Sequence, residues 1–419
     1  MGEQLQEVDI SMRILHIYDS DVGERALPDQ GSGPASVTFY LSRYMAKEGH
    51  DVTILERRCN NLPPLEYIEG IRFVRLDAKK RSGAPFKEIR NLPFGLLRLI
   101  LDSTEFAIKV NSYVKKENFD VVHVHHPFAA SILVTLNREL RRKIIYTLHA
   151  GEEKKRLGLG PSNKTPLLLR FFSPDLFLIK RVRKTIVLNK ALKFKLIGKG
   201  IEESRIAFIP NGVEIDESIG RNIREEEERI KRRYKLGNLN VLFSGPIIPR
   251  KGVKYLIKAM EILVNGGYNI NLVIVGRTDL DEDYVKELRE YVKSHKLPIN
   301  FTGFIPYEDL MRLYHICDIF VLPSFEEGDP MALKSALAAG KPLVGSNVGG
   351  IPMQIKDDWN GFLVEPGNEK QLAEKIRYLI DNPEERERMG KNSRKLAREE
   401  FAWKKIAERY LKVYEEVAE

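Results

Sequence analysis

The sequence predicts an α/β protein of two domains. Short apolar runs rich in β-branched residues alternate with segments of helical period from end to end, the pattern of parallel sheets with crossover helices. The chain has 419 residues, more than one ordinary core accommodates. Glycine turns follow several of the apolar runs, at the strand ends where open α/β sheets bind ligands.

The first strand is Arg13–Tyr18. A loop with Gly31, Gly33 and Pro34 follows, then a helix over 35–48 closed by Gly49-His50-Asp51. Further strands are expected at 52–55, 71–76, 121–124, 144–148, 185–188 and 207–209. Residues 86–116 read as an amphipathic helix interrupted near Pro93. The polar stretch 214–240 contains Arg224-Glu225-Glu226-Glu227-Glu228-Arg229, a solvated helix or linker. A second α/β series begins at Val241-Leu242-Phe243-Ser244 and continues at 272–275, 299–301, 319–322, 343–345 and 361–364. A charged stretch of helical period, 383–419, ends the chain. The expected division is a first domain over 1–212, a linker over 213–238, a second domain over 239–398 and a terminal helix over 399–419.

Apolar residues make up 43% and charged residues 30%, as in soluble globular proteins, and no apolar run reaches membrane-spanning length. The first nine residues are polar and acidic, unlike a secretory signal. Cys59 and Cys317 stand far apart, which argues against a disulfide scaffold and fits a cytoplasmic setting. The net charge of +9 is uneven: residues 1–215 hold 35 Lys+Arg against 25 Asp+Glu, the remainder 33 against 34. Basic clusters lie at Lys79-Lys80-Arg81, Arg141-Arg142-Lys143, Lys154-Lys155-Arg156 and 180–184. Such a half is either solvated charge or a face that attracts phosphorylated sugars or an anionic membrane. It lacks the aromatic–basic interleaving or binding module of a nucleic-acid protein.

The stretch from Ser324 to Pro342 carries the strongest signal of chemistry. A carboxylate (Glu327), a glycine (Gly328) and a helix start near Pro330 meet at the end of the strand 319–322. Backbone N–H groups and the helix dipole favour anionic or hydroxyl-rich ligands there. Gly245 to Gly252 follow the first strand of the second series, with Lys251 expected to start a helix over 252–264; a cation there either suits a diphosphate or is an ordinary surface lysine. Val348-Gly349-Gly350-Ile351-Pro352 is a second glycine turn, expected at the same sheet end. In His123-Val124-His125-His126, strand geometry puts His123 and His125 on one face. No carboxylate or cysteine stands at matching spacing, so no metal site is expected, and His123 reads as a satisfied core residue. Asp279-x-Asp281-x-Asp283 lies in a polar loop and lacks the glycine and distal glutamate of a calcium loop.

Taken in order, these stretches resemble the family-4 retaining glycosyltransferases. The matching pieces include Gly49-His50-Asp51-Val52-Thr53, Asp120-Val121-Val122-His123-Val124-His125 and Ile209-Pro210-Asn211-Gly212-Val213. The second series adds Arg250-Lys251-Gly252, Phe301-Thr302-Gly303-Phe304, Glu327-Gly328-x-Pro330 and Asn360-Gly361-Phe362-Leu363-Val364. The resemblance implies two Rossmann-like domains facing a cleft (GT-B architecture), with the terminal helix crossing back to the first. It implies a cytoplasmic enzyme, peripheral on a membrane in some relatives, that moves a hexose from a UDP-, GDP- or ADP-sugar to a glycan, lipid-linked or small polar acceptor. The configuration is retained and no cofactor or bound metal is required.

By position, His125, Lys251 and Glu327 would be catalytic. Gly33, Arg250, Phe304, Ile305, Gly328, Asp329, Pro330, Met331, Leu333 and Ser335 would bind the donor. Two positions depart from the family pattern. Ser335 stands where the second glutamate of the Glu-x7-Glu motif binds the ribose, and Pro246 stands where an arginine faces the diphosphate. Either donor recognition is rearranged, or the chain is a non-catalytic relative that binds a sugar nucleotide or glycan as a regulator or assembly partner.

Overall fold

The computed structural model describes residues 11–20, 25–28, 33–58, 62–78, 95–149, 173–215 and 224–419. Gly31, Cys59, the clusters 79–81 and 154–156, residues 86–94 and part of the linker lie outside the described residues.

Two sheets organise the chain. The first contains β1 (Arg13–Tyr18), β2 (Asp51–Arg57), β3 (Leu65–Ile68), β4 (Ile71–Leu76), β5 (Val121–Val124), β6 (Ile144–Leu148), β7 (Lys184–Val187) and β8 (Ile206–Phe208), in the order β3-β4-β2-β1-β5-β6-β7-β8. All its pairings are parallel except β3 with β4. The antiparallel β3 was not expected; its residues are exposed or half-buried, so it carries no apolar run to announce it. The second sheet holds β9 (Asn240–Ser244), β10 (Asn271–Val275), β11 (Ile299–Gly303), β12 (Ile319–Leu322), β13 (Leu343–Ser346) and β14 (Gly361–Val364), ordered β11-β10-β9-β12-β13-β14. Numbered from its first strand, that order is 3-2-1-4-5-6, the Rossmann arrangement. The strand order reverses between β1 and β5 in one sheet and between β9 and β12 in the other. Open α/β sheets bind ligands at such points.

Each face of the first sheet is covered separately. Leu15, Ile17, Val122, Val124, Ile144 and Tyr146 pack against the helices Gly95–Lys116 and Pro127–Leu136. Ile14, Val52, Ile54, Val121 and Ile145 face the helix Gly33–Lys47 and the terminal helix Trp403–Ala418. Trp403, Tyr410 and Tyr414 are wholly buried there, so the end of the chain completes the core of the first domain. Two backbone hydrogen bonds mark the crossing: the Val213 N–H donates to the Phe401 carbonyl at 2.7 Å, and the Trp403 N–H donates to the Val213 carbonyl at 3.2 Å.

The charged run at 224–229 proves more than a solvated linker. It opens the helix Arg224–Tyr234, whose Ile230 and Tyr234 are buried in the second core. The Tyr234 hydroxyl donates to Asp309 at 2.6 Å, and Arg229 lies 3.0 Å from the same carboxylate. Asp309 sits in the first turn of the helix Tyr307–Ile316 and ties the two helices together.

Candidate active site

The C-terminal ends of the two sheets face each other. Asn189, just past β7, donates its side-chain N–H to the Gly328 carbonyl at 2.7 Å. Asn211, beyond β8, donates its backbone N–H to Asp329 at 2.5 Å and its side-chain N–H to the Asp329 carbonyl at 3.0 Å. The hydroxyls of Tyr40 and Tyr307 meet across the domains at 3.2 Å. A Cβ on Gly33 would touch the Met331 side chain at 3.6 Å, which seats the first helix against the 327–331 segment.

Because β9 and β12 are neighbours, the segments that follow them converge. The Lys251 ammonium donates to Glu327 Oε1 at 2.5 Å, and the Ser324 hydroxyl donates to the same oxygen at 2.8 Å. Arg250 Nη1 donates to the Glu326 carbonyl at 2.7 Å and lies 3.9 Å from Glu327 Oε1. Two cations and one carboxylate thus share a mostly buried corner. Burial pushes Lys251 below the ordinary lysine range, and Glu327 opposes that push. Lys251 does not start the helix, as the sequence suggests. It closes a 3-10 turn, Pro249–Lys251; Gly252, at φ +69°, separates it from the helix Val253–Asn265. A side chain at Gly252 would collide with the Pro323 carbonyl, so glycine here lets the two segments touch. The Gly349–Gly350 turn lies against the backbone of Glu327 and Gly328, where a Cβ on either glycine would collide with a carbonyl oxygen.

The remaining sequence candidates separate by burial. Pro330 forms the N-cap of the helix Met331–Ala338 and supplies no side-chain cap to its first-turn N–H groups. Phe304 is exposed beyond β11, whereas Ile305 and Leu333 are buried in the second core. Ser335 and Ser244 both lie close to the buried Tyr314 side chain. Asp329 turns its carboxylate inward: besides Asn211 it accepts from Gln354 Nε2 at 2.6 Å and pairs with Lys334 Nζ at 3.1 Å.

Neither side chain of the Asp329–Lys334 pair is solvent-exposed, and the ammonium lies 3.6 Å from the centre of the Phe401 ring. Sequence reading did not find this pair. The one available signal was a lone lysine in an otherwise small and apolar helix. Lys334→Met leaves a buried carboxylate without its counter-charge and should lower stability by about 3–5 kcal/mol. Adding Asp329→Asn to that variant should recover part of the loss; urea midpoints that add independently would show the pair to be uncoupled.

On the first domain, the register of β1 and β5 sets His16 beside His123. His16 Nδ1 lies 3.0 Å from His125 Nε2, and His125 Nδ1 lies 3.0 Å from His149 Nε2. Three imidazoles therefore form a chain running from the core to the half-buried His149, just beyond β6. Sequence reading missed His16 and His149, which reach His125 only through strand register. A neutral imidazole carries one N–H, so the protons all point one way along the chain. His125 is buried, and each of its ring nitrogens meets another imidazole. Nitrogens of His16, His123 and His125 lie within 4.8 Å of one another, a spacing that could hold a metal ion. Both nitrogens of His123 are already taken, one by the Tyr414 hydroxyl at 2.5 Å and one by Thr147 Oγ1 at 2.7 Å. The trio is built as a hydrogen-bonded core group.

Residues 31–217 match the family Glycosyltransferase Family 4, and residues 224–396 match Glycosyl transferases group 1. Spore coat protein SA of Bacillus subtilis is 35% identical over 409 residues, which span 94% of this chain and 98% of that protein. The chain belongs to the group 1 glycosyltransferases. Sucrose-phosphate synthase of Thermosynechococcus elongatus superposes with a TM-score of 0.79 at 19% identity, covering 97% of this chain and 99% of the other. Anabaena HepE, solved in complex with UDP-glucose, gives 0.72 at 19% identity, covering 97% and 100%. At those identities the likeness is one of fold, the GT-B pairing of two Rossmann-like domains. The two positions expected to depart from the family pattern both lie in the second domain. Pro246 lies in the turn after β9, and Ser335 sits beside Tyr314.

Proposed function

We propose that this chain is a cytoplasmic, retaining hexosyltransferase that uses a nucleotide-diphosphate sugar. The observation that carries the reading is the corner where Lys251, Arg250, Ser324 and Glu327 converge at the switch point between β9 and β12. Departure of the diphosphate concentrates negative charge, and preorganised cations in a buried site stabilise it more than water does. Lys251 holds its position through Glu327 and keeps two further N–H donors for phosphate oxygens. Arg250 supplies a second cation where Pro246 removes the usual one, so the role needs no bound metal. Glu327 is placed to accept from hydroxyls of the donor sugar. With Ser335 in place of a glutamate, the ribose is held by neutral hydroxyls.

The acceptor is a glycan, a small polar molecule or a lipid-linked sugar held by the first domain. Peripheral contact with an anionic membrane is supported by the helix Gly95–Lys116, which leaves Leu97, Ile100, Leu101 and Ile108 about half exposed along one stripe of the basic half. HepE, solved with UDP-glucose, makes that donor the first to test. A panel of UDP-, GDP- and ADP-sugars should contain one that raises the unfolding temperature and is slowly hydrolysed. Transfer to a lipid-linked acceptor in anionic vesicles should then exceed hydrolysis. Binding with no turnover under any of these conditions would favour the non-catalytic reading, which Pro246 and Ser335 motivate.

A further inference from the structure

A groove of about 780 Å³ opens on the second domain, far from the paired carboxylate and cations. Its walls are the turn Gly340-Lys341-Pro342, the helix Pro383–Leu396 and the π turn Ala397–Phe401. Asp318, just before β12, and Pro342, just before β13, line it, whereas Glu327 follows β12; the groove therefore lies at the opposite end of the sheet from the candidate active site.

Its charge is one-sided. Among the described residues the side chains of Lys341, Arg386 and Arg394 donate only to carbonyl oxygens, of His315 at 2.6 Å, Leu379 at 3.0 Å and Ala339 at 3.2 Å. Lys395, exposed, has no hydrogen bond or ion pair among the described residues, and Arg398, itself already engaged, adds a fifth cation. On the acidic side, Glu387 is neutralised by Lys391 at 2.6 Å, which leaves Asp318 and Glu399. Arg386 and Arg394 each spend one side-chain N–H on a carbonyl, which leaves most of a fork that fits phosphate oxygens. Arg394, Lys395 and Arg398 also crowd one helical face, where like charges repel. A multivalent anion relieves that repulsion.

We propose that the groove binds a small phosphorylated ligand carrying at least two phosphate groups, at a site separate from the donor site. Its occupancy steadies the crossing between the domains. Arg398 and Glu399 belong to the π turn whose last residue, Phe401, accepts from Val213, and the chain enters the first domain two residues later at Trp403. The other wall, Gly340-Lys341, ends the segment that begins with the Met331–Ala338 helix beside Gly328.

Inorganic pyrophosphate, titrated calorimetrically into the full-length chain, tests this. In the Lys251→Ala background, which removes a donor-site cation, one pyrophosphate per chain should still bind, and more tightly than orthophosphate. Arg394→Gln with Lys395→Gln should weaken that site at least tenfold. Arg394 also bonds Ala339, so Lys395→Glu alone, at a residue without partners among the described residues, serves as the second variant and should weaken binding in the same direction. Loss of all pyrophosphate binding in Lys251→Ala, or affinity unchanged within twofold in both groove variants, overturns the site. Pyrophosphate should also slow hydrogen exchange at the Val213 and Trp403 amides in Lys251→Ala; unchanged exchange overturns the coupling to the crossing.

Discussion

Replacing Lys251 by alanine, or Glu327 by alanine, should each lower sugar transfer by about 10²–10³-fold, the usual effect of removing one preorganised group that stabilises transition-state charge. The two losses should differ in kind. Lys251 meets charge that grows as the diphosphate departs, so its removal should fall on kcat. Glu327 meets hydroxyls present before and during the reaction, so its removal should also raise KM. Glu327→Ala further leaves the buried Lys251 ammonium without its 2.5 Å partner, and Ser324 without its acceptor. Some loss of stability is therefore expected in that variant, and Glu327→Gln separates folding from chemistry. Because both residues fasten the same corner, the double variant should cost less than the sum of the singles. Steady-state rates with the donor found by the panel provide the check. Wild-type rates in both alanine variants would remove this corner from the reaction.

Mild acid should destabilise the protein well above the pH at which carboxylates titrate. Burial holds His16 down to about 3, and burial followed by the neighbouring imidazoles pushes His123 and His125 well below the ordinary histidine value. All three are neutral in the fold, whereas in the unfolded chain they charge near pH 6.5. Below that pH the unfolded state binds more protons than the native state, so stability falls as pH falls. The loss is fully absent well above pH 6.5. It grows by up to about 1.4 kcal/mol per pH unit for each histidine. By pH 5 it should reach about 2 kcal/mol per histidine, or about 6 for the three, comparable with the whole stability of many domains. Urea midpoints at pH 7.5 and pH 5 measure it. Equal midpoints would mean that the imidazole chain takes up protons without unfolding, which its burial forbids.

What the sequence made legible follows sequence distance. The runs Arg13–Tyr18, Val121–Val124 and Ile319–Leu322 announce strands through their own apolar residues, and the structure places them with the same bounds. The Glu327-Gly328 turn and the glycine pair at 349–350 were legible because a glycine after a strand has few other uses. Lys251 was legible as a cation at a strand end but not as the close of a 3-10 turn, since that depends on Gly252 pressing on the Pro323 carbonyl. The groups that escaped are made by pairing across the fold. His16 reaches His125 through strand register, Asp329 reaches Asn211 across the two domains, and Tyr414 reaches His123 from the far end of the chain. No local pattern encodes those distances. Lys334 hid in a helix of small residues because its counter-charge lies before the helix begins.

The burial of Trp403, Tyr410 and Tyr414 under the first sheet has a consequence for synthesis. Domains usually fold in the order in which they leave the ribosome. Here the first sheet emerges with one face only partly covered, by the helix Gly33–Lys47, and the side chains that complete its cover are made about two hundred residues later. Until then, Ile14, Val52 and Ile145 have only part of their apolar shelter, and His123 lacks the hydroxyl that meets its Nδ1. The nascent first half must therefore wait, partly open, for the second domain to be translated before it can close.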